Sequence, residues 1–163
     1  MAAPRRSSLA ESATAGGARF LVVEAGFYAD IAALLRDGAE AALEHVGATW
    51  DVVGVPGALE IPIAMAIALD RAEAGGRPFD GAIALGCVLR GETFHFEIVA
   101  SESARALLDL AVARRLPVGN GILTVDTQAQ AEMRADPARG DKGGDAARAA
   151  LSLYALAHAE GTQ

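Results

Sequence analysis

Cysteine is almost missing from this chain. Cys87 stands alone among 163 residues, so no internal disulfide can form, and nothing points to secretion. In the middle of an apolar run it reads as a small buried hydrophobe rather than a reactive thiol. Aromatic residues are scarce, at 5%. Ala, Val, Leu and Ile must therefore fill the core that a 52% hydrophobic composition allows, enough for one domain and not two. Positive charge is the minority sign: 14 Lys and Arg against 21 Asp and Glu leave a net charge of -7. That argues against nucleic acid or an anionic membrane as the main partner, while anionic small molecules remain open where Arg and Lys collect locally. No window approaches the ~20 apolar residues of a membrane span. Residues 1–18 have no apolar core of a signal peptide. They read as a flexible arm, residues 19–163 as a single domain, and the protein as cytoplasmic.

What is present is an alternation. "RFLVVEAG" is a short apolar run closed by Gly, consistent with a buried strand. "ADIAALLRDGAEAALEHVG" follows with helical spacing at Ile31, Leu34, Leu35, Ala39 and Leu43, and Gly47 is a natural stop. "TWDVVGVPG" is a second strand. "ALEIPIAMAIALDRAEAGG" is a second helix that tolerates Pro62 only in its first turn. "FDGAIALGCVL" is a third strand, and "TFHFEIVASESARALLDLAVARRL" a long third helix with Ile98, Ala104, Leu108 and Val112 on one stripe. "PVGNGILTV" reads as a continuous fourth strand, although Asn120-Gly121 is also a hairpin signal. "TQAQAEMRA" is a short helix, "RGDKGGD" a loop, and "AARAALSLYALAHA" a closing helix. Strand and helix alternate four times, the pattern of a three-layer α/β/α fold with a flavodoxin-like four-stranded parallel sheet, order 2-1-3-4.

In such a sheet, ligands bind outside the carboxyl ends of the strands. Four of the chain's few aromatics, Phe27, Tyr28, Phe94 and Phe96, lie just past the first and third strands. They either stack on something flat or cap the sheet. "RGET" precedes the third helix, where free N–H groups favour an anion, but the signal is weak and plain capping by Thr93 is the simpler reading. Glu92, beside such a site, is expected to point outward. His95 falls in the first turn of that helix, whose positive end disfavours the imidazolium form. On the residues alone it is either packed or poised to move protons. Glu60 opens the second helix and either serves the dipole or accepts hydrogen bonds from a polyol. His45 and His158 read as surface residues near helix ends. No group of His, Cys or carboxylates has metal spacing, so no metal is expected. "RGDKGGD" follows no strand, and Lys142 is followed by Gly, which argues against a nucleotide triphosphate loop.

"VPGALEIP", "GCVLRGETFHFE" and "DKGGDAA", in this order and spacing, resemble the lumazine synthases of riboflavin biosynthesis, over about residues 19 to 158. The resemblance implies condensation of 5-amino-6-ribitylaminouracil with 3,4-dihydroxy-2-butanone 4-phosphate. The products would be 6,7-dimethyl-8-ribityllumazine, phosphate and water, with no cofactor. It implies that His95 is the general acid/base and that Phe27 stacks on the pyrimidine. Ala58, Leu59 and Glu60 would line the ribityl chain, and Val88 and Leu89 would hold the pyrimidine edge through backbone groups. Gly91, Glu92 and Thr93 would cradle the phosphate with Arg134, and Lys142 would lie beside the substrates. It also implies a homo-pentamer with sites between adjacent subunits, where the segment around Asn120 and Arg134 come from the neighbour and the N-terminal arm joins the neighbour's sheet. In some members of that family twelve pentamers close into a 60-subunit shell, and the resemblance leaves such a shell, and riboflavin synthase as a partner, open here. Asn120 departs from the pattern, since many members carry an aromatic there. Losing one stacking face would cost about 1 kcal/mol, so modest affinity for the pyrimidine is expected. A non-catalytic flavin or lumazine carrier, or a shell protein, is the alternative on the same fold. A flavodoxin-like electron carrier ranks below these, because "AGFYAD" is not a Ser/Thr/Gly-rich phosphate loop.

Overall fold

The computed structural model describes residues 15–159. Among these residues nine elements follow in order: β1 (Arg19–Ala25), α1 (Ala29–His45), β2 (Thr49–Val55), α2 (Glu60–Ala74), β3 (Gly81–Leu89), α3 (His95–Arg114), β4 (Val118–Val125), α4 (Gln128–Ala135) and α5 (Lys142–Ala157). The strands form one sheet in the order β2-β1-β3-β4. All three pairings are parallel, with Val22 opposite both Val52 and Ile83, and Leu85 opposite Gly121. This is the expected flavodoxin-like, three-layer arrangement. Asn120-Gly121 lies inside β4, which runs unbroken beside β3.

Alternate residues of each inner strand face opposite layers. On one face Phe20, Val22, Ile83 and Leu85 pack under Ile31, Leu35 and Leu43 of α1 and the alanines of α4 and α5. On the other, Leu21, Val23, Ala82 and Ala84 meet Ile61, Met65 and Leu69 of α2 and Val99 and Leu107 of α3. β3 is buried on both faces for eight of its nine residues, which is why it reads as an unbroken apolar run. Pro62 sits in the first turn of α2, where it breaks no helical hydrogen bond. Of the arm expected over residues 1–18, residues 1–14 lie outside the described residues. Ala15 and Ala18 are buried, and Ala15 N–H donates to the Val46 carbonyl at 3.0 Å.

One reading of the sequence is completed by the structure and one needs correction. The α3 stripe of Ile98, Ala104, Leu108 and Val112 lies on the side away from the sheet. Leu108 is 66% and Val112 69% exposed, while Val99, Ser103 and Leu107 point inward. The helix carries apolar residues on two faces, and spacing could not say which one meets the sheet. "RGDKGGD" is not a loop throughout, because α5 begins at Lys142. Gly143 and Gly144 are helical and buried against α1 and the turn before α5. A Cβ on Gly143 would lie 1.8 Å from the Leu35 carbonyl oxygen. Gly143 is there for close approach of α1 and α5, and Gly144 leaves room for the Asp141 carboxylate.

Candidate active site

The crevice at the carboxyl ends of β1 and β3 is a cavity of about 360 Å³, within the range of small-molecule sites. Four separate segments supply its walls. The β1–α1 turn contributes Phe27 and Tyr28, whose rings meet edge-on with centroids 4.9 Å apart. Tyr28 is rooted in the core, whereas Phe27 is 74% exposed and offers a free ring face. The β2–α2 turn contributes Gly57 to Glu60. Ala58 is buried beneath this wall, and Glu60, first residue of α2, turns its carboxylate toward Gly57. The end of β3 supplies Cys87, Val88 and Leu89, and the first turns of α3 supply His95 and Val99. His95 and Val99 are four residues apart and so share one helix face. His95 is exposed at the rim while Val99 is buried under it.

Seven expected residues, Phe27, Ala58, Leu59, Glu60, Val88, Leu89 and His95, therefore meet in one cavity. Tyr28, one of the clustered aromatics, also lines it, as do Gly57, Cys87 and Val99, which were not expected as site residues. Helical spacing from His95 would have found Val99, and position beside Val88 would have found Cys87. Burial pushes the Cys87 thiol up to about 11, which keeps it protonated and inert.

Gly91, Glu92 and Thr93 form an exposed turn between β3 and α3 and do not line the cavity. Thr93 does not cap α3, since the N-cap is Phe94 and no side chain bonds there. The turn is braced by Arg90, which sequence reasoning overlooked. Its Nε donates to Asp126 at 2.8 Å, its Nη1 to Glu97 at 2.5 Å, and its guanidinium lies 4.2 Å from the centre of the Phe96 ring. The hydrogen bond from Arg90 holds the Glu97 carboxyl below its ordinary range. Phe96 packs beneath Arg90 and Phe94 is 71% exposed. Neither lines the cavity, so only two of the four clustered aromatics do.

The remaining candidates lie elsewhere on the chain. Asn120 and Lys142 line a second cleft of about 290 Å³ between the open edge of β4 and α5. The Asn120 side-chain oxygen accepts from Ile122 N–H at 3.0 Å. Arg134 is exposed on α4, with Nη1 donating to the Gln130 carbonyl at 3.3 Å. Gly140 packs against the Arg134 backbone, and Asp141 N–H donates to the Asp136 carbonyl at 3.0 Å. Arg134 and Lys142 are thus carried on one compact α4–α5 corner. His45 and His158 are exposed at the ends of α1 and α5, as expected. Among the described residues no group of three or more His, Cys, Asp or Glu side chains is placed to hold a metal ion. No helix among them is long and apolar enough to cross a membrane.

An open parallel sheet with an aromatic, a carboxylate and a histidine around the crevice at its strand ends is the class of α/β protein that receives small molecules at that place. The chain belongs to the 6,7-dimethyl-8-ribityllumazine synthase family, which matches residues 17–158. The protein of that name from Methylocella silvestris is 65% identical over 161 residues, covering 99% of this chain and 98% of that protein. The one from Beijerinckia indica is 66% identical over 158 residues, 94% of this chain and 85% of that one. A 6,7-dimethyl-8-ribityllumazine synthase 1 from Rhodopseudomonas palustris is 62% identical over 156 residues, 96% of each chain.

Proposed function

We propose that this chain is a lumazine synthase of riboflavin biosynthesis whose pyrimidine site is the crevice between Phe27, Glu60 and His95. The enzyme condenses 5-amino-6-ribitylaminouracil with 3,4-dihydroxy-2-butanone 4-phosphate to give 6,7-dimethyl-8-ribityllumazine, phosphate and water. The observation that carries the site is the convergence of seven expected residues, from four segments, on one cavity.

The free face of Phe27 suits stacking against the pyrimidine ring. The ribityl chain runs along Ala58 and Leu59 toward the Glu60 carboxylate, which accepts hydrogen bonds from its hydroxyls. Backbone groups of Val88 and Leu89 hold the ring edge. Imine condensation, phosphate loss and ring closure each move protons, and His95, at the rim, serves as acid and base in turn. No cofactor takes part. The phosphate lies against the Gly91–Glu92–Thr93 turn. Three exposed residues next to a helix start, and a threonine hydroxyl that does not cap α3, support that placement.

Asn120, Arg134 and Lys142 do not line this cavity, so a neighbouring copy supplies the first two and, with them, Lys142. Exposed Ile63 and Ile67 on α2, and Ile98, Leu108 and Val112 on α3, support an assembly that covers them. We place the chain in a homo-pentamer with shared sites, working in the cytoplasm.

His95→Ala, assayed with both substrates, should lose about 10²- to 10⁴-fold in rate. Activity should remain above the uncatalysed condensation, because holding two substrates together does part of the work. A rate equal to wild type would return His95 to a packing role.

A further inference from the structure

A polar network at the start of α5 runs from the core to Lys142, and of its members only that lysine has been given a part in the site. Asp141 is one of two non-glycine residues with positive φ among those described (φ 49°, ψ 44°). It is also buried, at 8% exposure. Small residues make its socket: a Cβ on Gly38 would lie 2.5 Å from one carboxylate oxygen, and one on Gly144 2.5 Å from the other. Oδ1 accepts from Gly144 N–H at 3.3 Å and Oδ2 from Arg148 Nη2 at 2.8 Å. The same Nη2 donates to Asp145 Oδ1 at 2.6 Å, and Asp145 Oδ2 accepts from Lys142 Nζ at 2.9 Å. Lys142, Asp145 and Arg148 follow at intervals of three and lie along one side of α5. The chain of contacts begins in the core at Asp141 and ends at Lys142, in the cleft it shares with Asn120.

We infer that Arg148 is a positioning residue: anchored on buried Asp141, it clamps Asp145, which in turn holds the Lys142 ammonium at a fixed place over the cleft. This rests on the reading of Lys142 as a substrate contact. An exposed lysine has a flexible four-carbon stem and loses much rotamer freedom when it is held. A lone carboxylate three residues away is itself mobile and would fix it poorly. Arg148 occupies the other oxygen of that carboxylate and is tied through the same Nη2 to a buried group. The freedom of Lys142 is therefore removed in the folded protein, before substrate arrives, and binding need not remove it again. A role confined to stapling α5 onto the preceding turn would show as lost stability and would not depend on Lys142.

The test is a double-mutant cycle on the full-length protein, with steady-state kinetics and thermal unfolding for Arg148→Met, Lys142→Met and the pair. Each single variant should raise KM for the pyrimidine about tenfold, a loss of about 1.4 kcal/mol, with a smaller effect on kcat. The pair should be no worse than Lys142→Met alone, because Arg148 acts through that lysine. If Arg148→Met multiplies the defect in the Lys142→Met background, the role is structural and the inference is overturned. Asp145→Asn keeps the Asp141–Arg148 pair, so it covers the case in which Arg148→Met does not fold. It should raise KM with a smaller loss of Tm than Arg148→Met, and wild-type KM there would also overturn the inference. Lys142→Met with unchanged kinetics would show instead that Lys142 touches no substrate. That outcome removes the inference together with the reading beneath it, and the single variant alone reveals it.

Discussion

His95 and Cys87 line one cavity, yet their surroundings give them opposite fates. His95 sits at the rim in the first turn of α3, open to solvent and to any ligand stacked on Phe27. Cys87 lies deeper, and burial pushes its thiol up to about 11. At pH 8 the thiolate is then on the order of one part in a thousand. A thiol reagent at pH 8 should label the folded protein slowly and label it fully once denaturant is added. Rapid labelling of folded protein would contradict the burial. The sign for stability follows: the folded thiol titrates above the unfolded one, so its contribution is complete below about pH 9. It is lost as the pH rises through about 11. Position along the chain was enough to nominate His95, because strand ends and helix starts can be read from spacing. The contrast between the two residues depended on depth, which spacing does not report.

The start of α5 shows how an element can defeat local propensity. Gly-Gly after Lys142 reads as a loop, since each glycine in a helix costs roughly 1 kcal/mol relative to Ala. On an exposed helix Gly143→Ala would stabilise. Here the new Cβ would meet the Leu35 carbonyl oxygen of α1 at 1.8 Å. The expected change is destabilisation of about 1–3 kcal/mol from overpacking, read as a lower Tm; a higher Tm would mean that α1 and α5 are farther apart than described. The same helix start carries a pH signature. Burial of Asp145 pushes its carboxyl up, but hydrogen bonds from Arg148 and Lys142 outweigh that and hold it below the ordinary value. A depressed carboxylate stabilises above its unfolded value of about 4, and that contribution is lost as the pH falls through the folded value. Denaturant titrations at pH 6 and pH 3 should show stability falling with acid. The fall should be shallower in Arg148→Met, and an equally steep fall there would show that Arg148 does not depress Asp145.

Across the whole molecule the expected site divides between two places, the crevice at the sheet ends and the β4–α5 cleft with its neighbouring corner. The pentamer proposed above joins them across a head-to-tail interface, in which each site takes His95 from one copy and Arg134 from the next. His95→Ala and Arg134→Ala should then complement. Mixed after dissociation and reassembly, two nearly inactive variants should regain about a quarter of the wild-type activity, the share of shared sites with both residues intact in a random ring. No recovery in confirmed mixed assemblies would place each site within one copy. The exposed stripe on α3 bears on the same point. Its residues were read together as one apolar stripe, and the tertiary structure assigns that stripe to the outside of the single chain.

Most of the architecture was legible because the alternation of short apolar runs with helical periods leaves few right-handed windings. β3, buried on both faces, is apolar throughout and needs no tertiary information to be recognised as a central strand. Phe27, Glu60 and His95 were legible for a related reason: ligands meet an open parallel sheet at its carboxyl ends, and those ends can be counted along the chain, whereas Ala58, Leu59, Val88 and Leu89 came only from the family resemblance. Three things were not. Which stripe of α3 faces the sheet, where α5 begins, and how Arg148 links Asp141 to Lys142 all depend on contacts between segments distant in sequence or on side-chain direction. Local spacing carries neither, and the packed fold settles both.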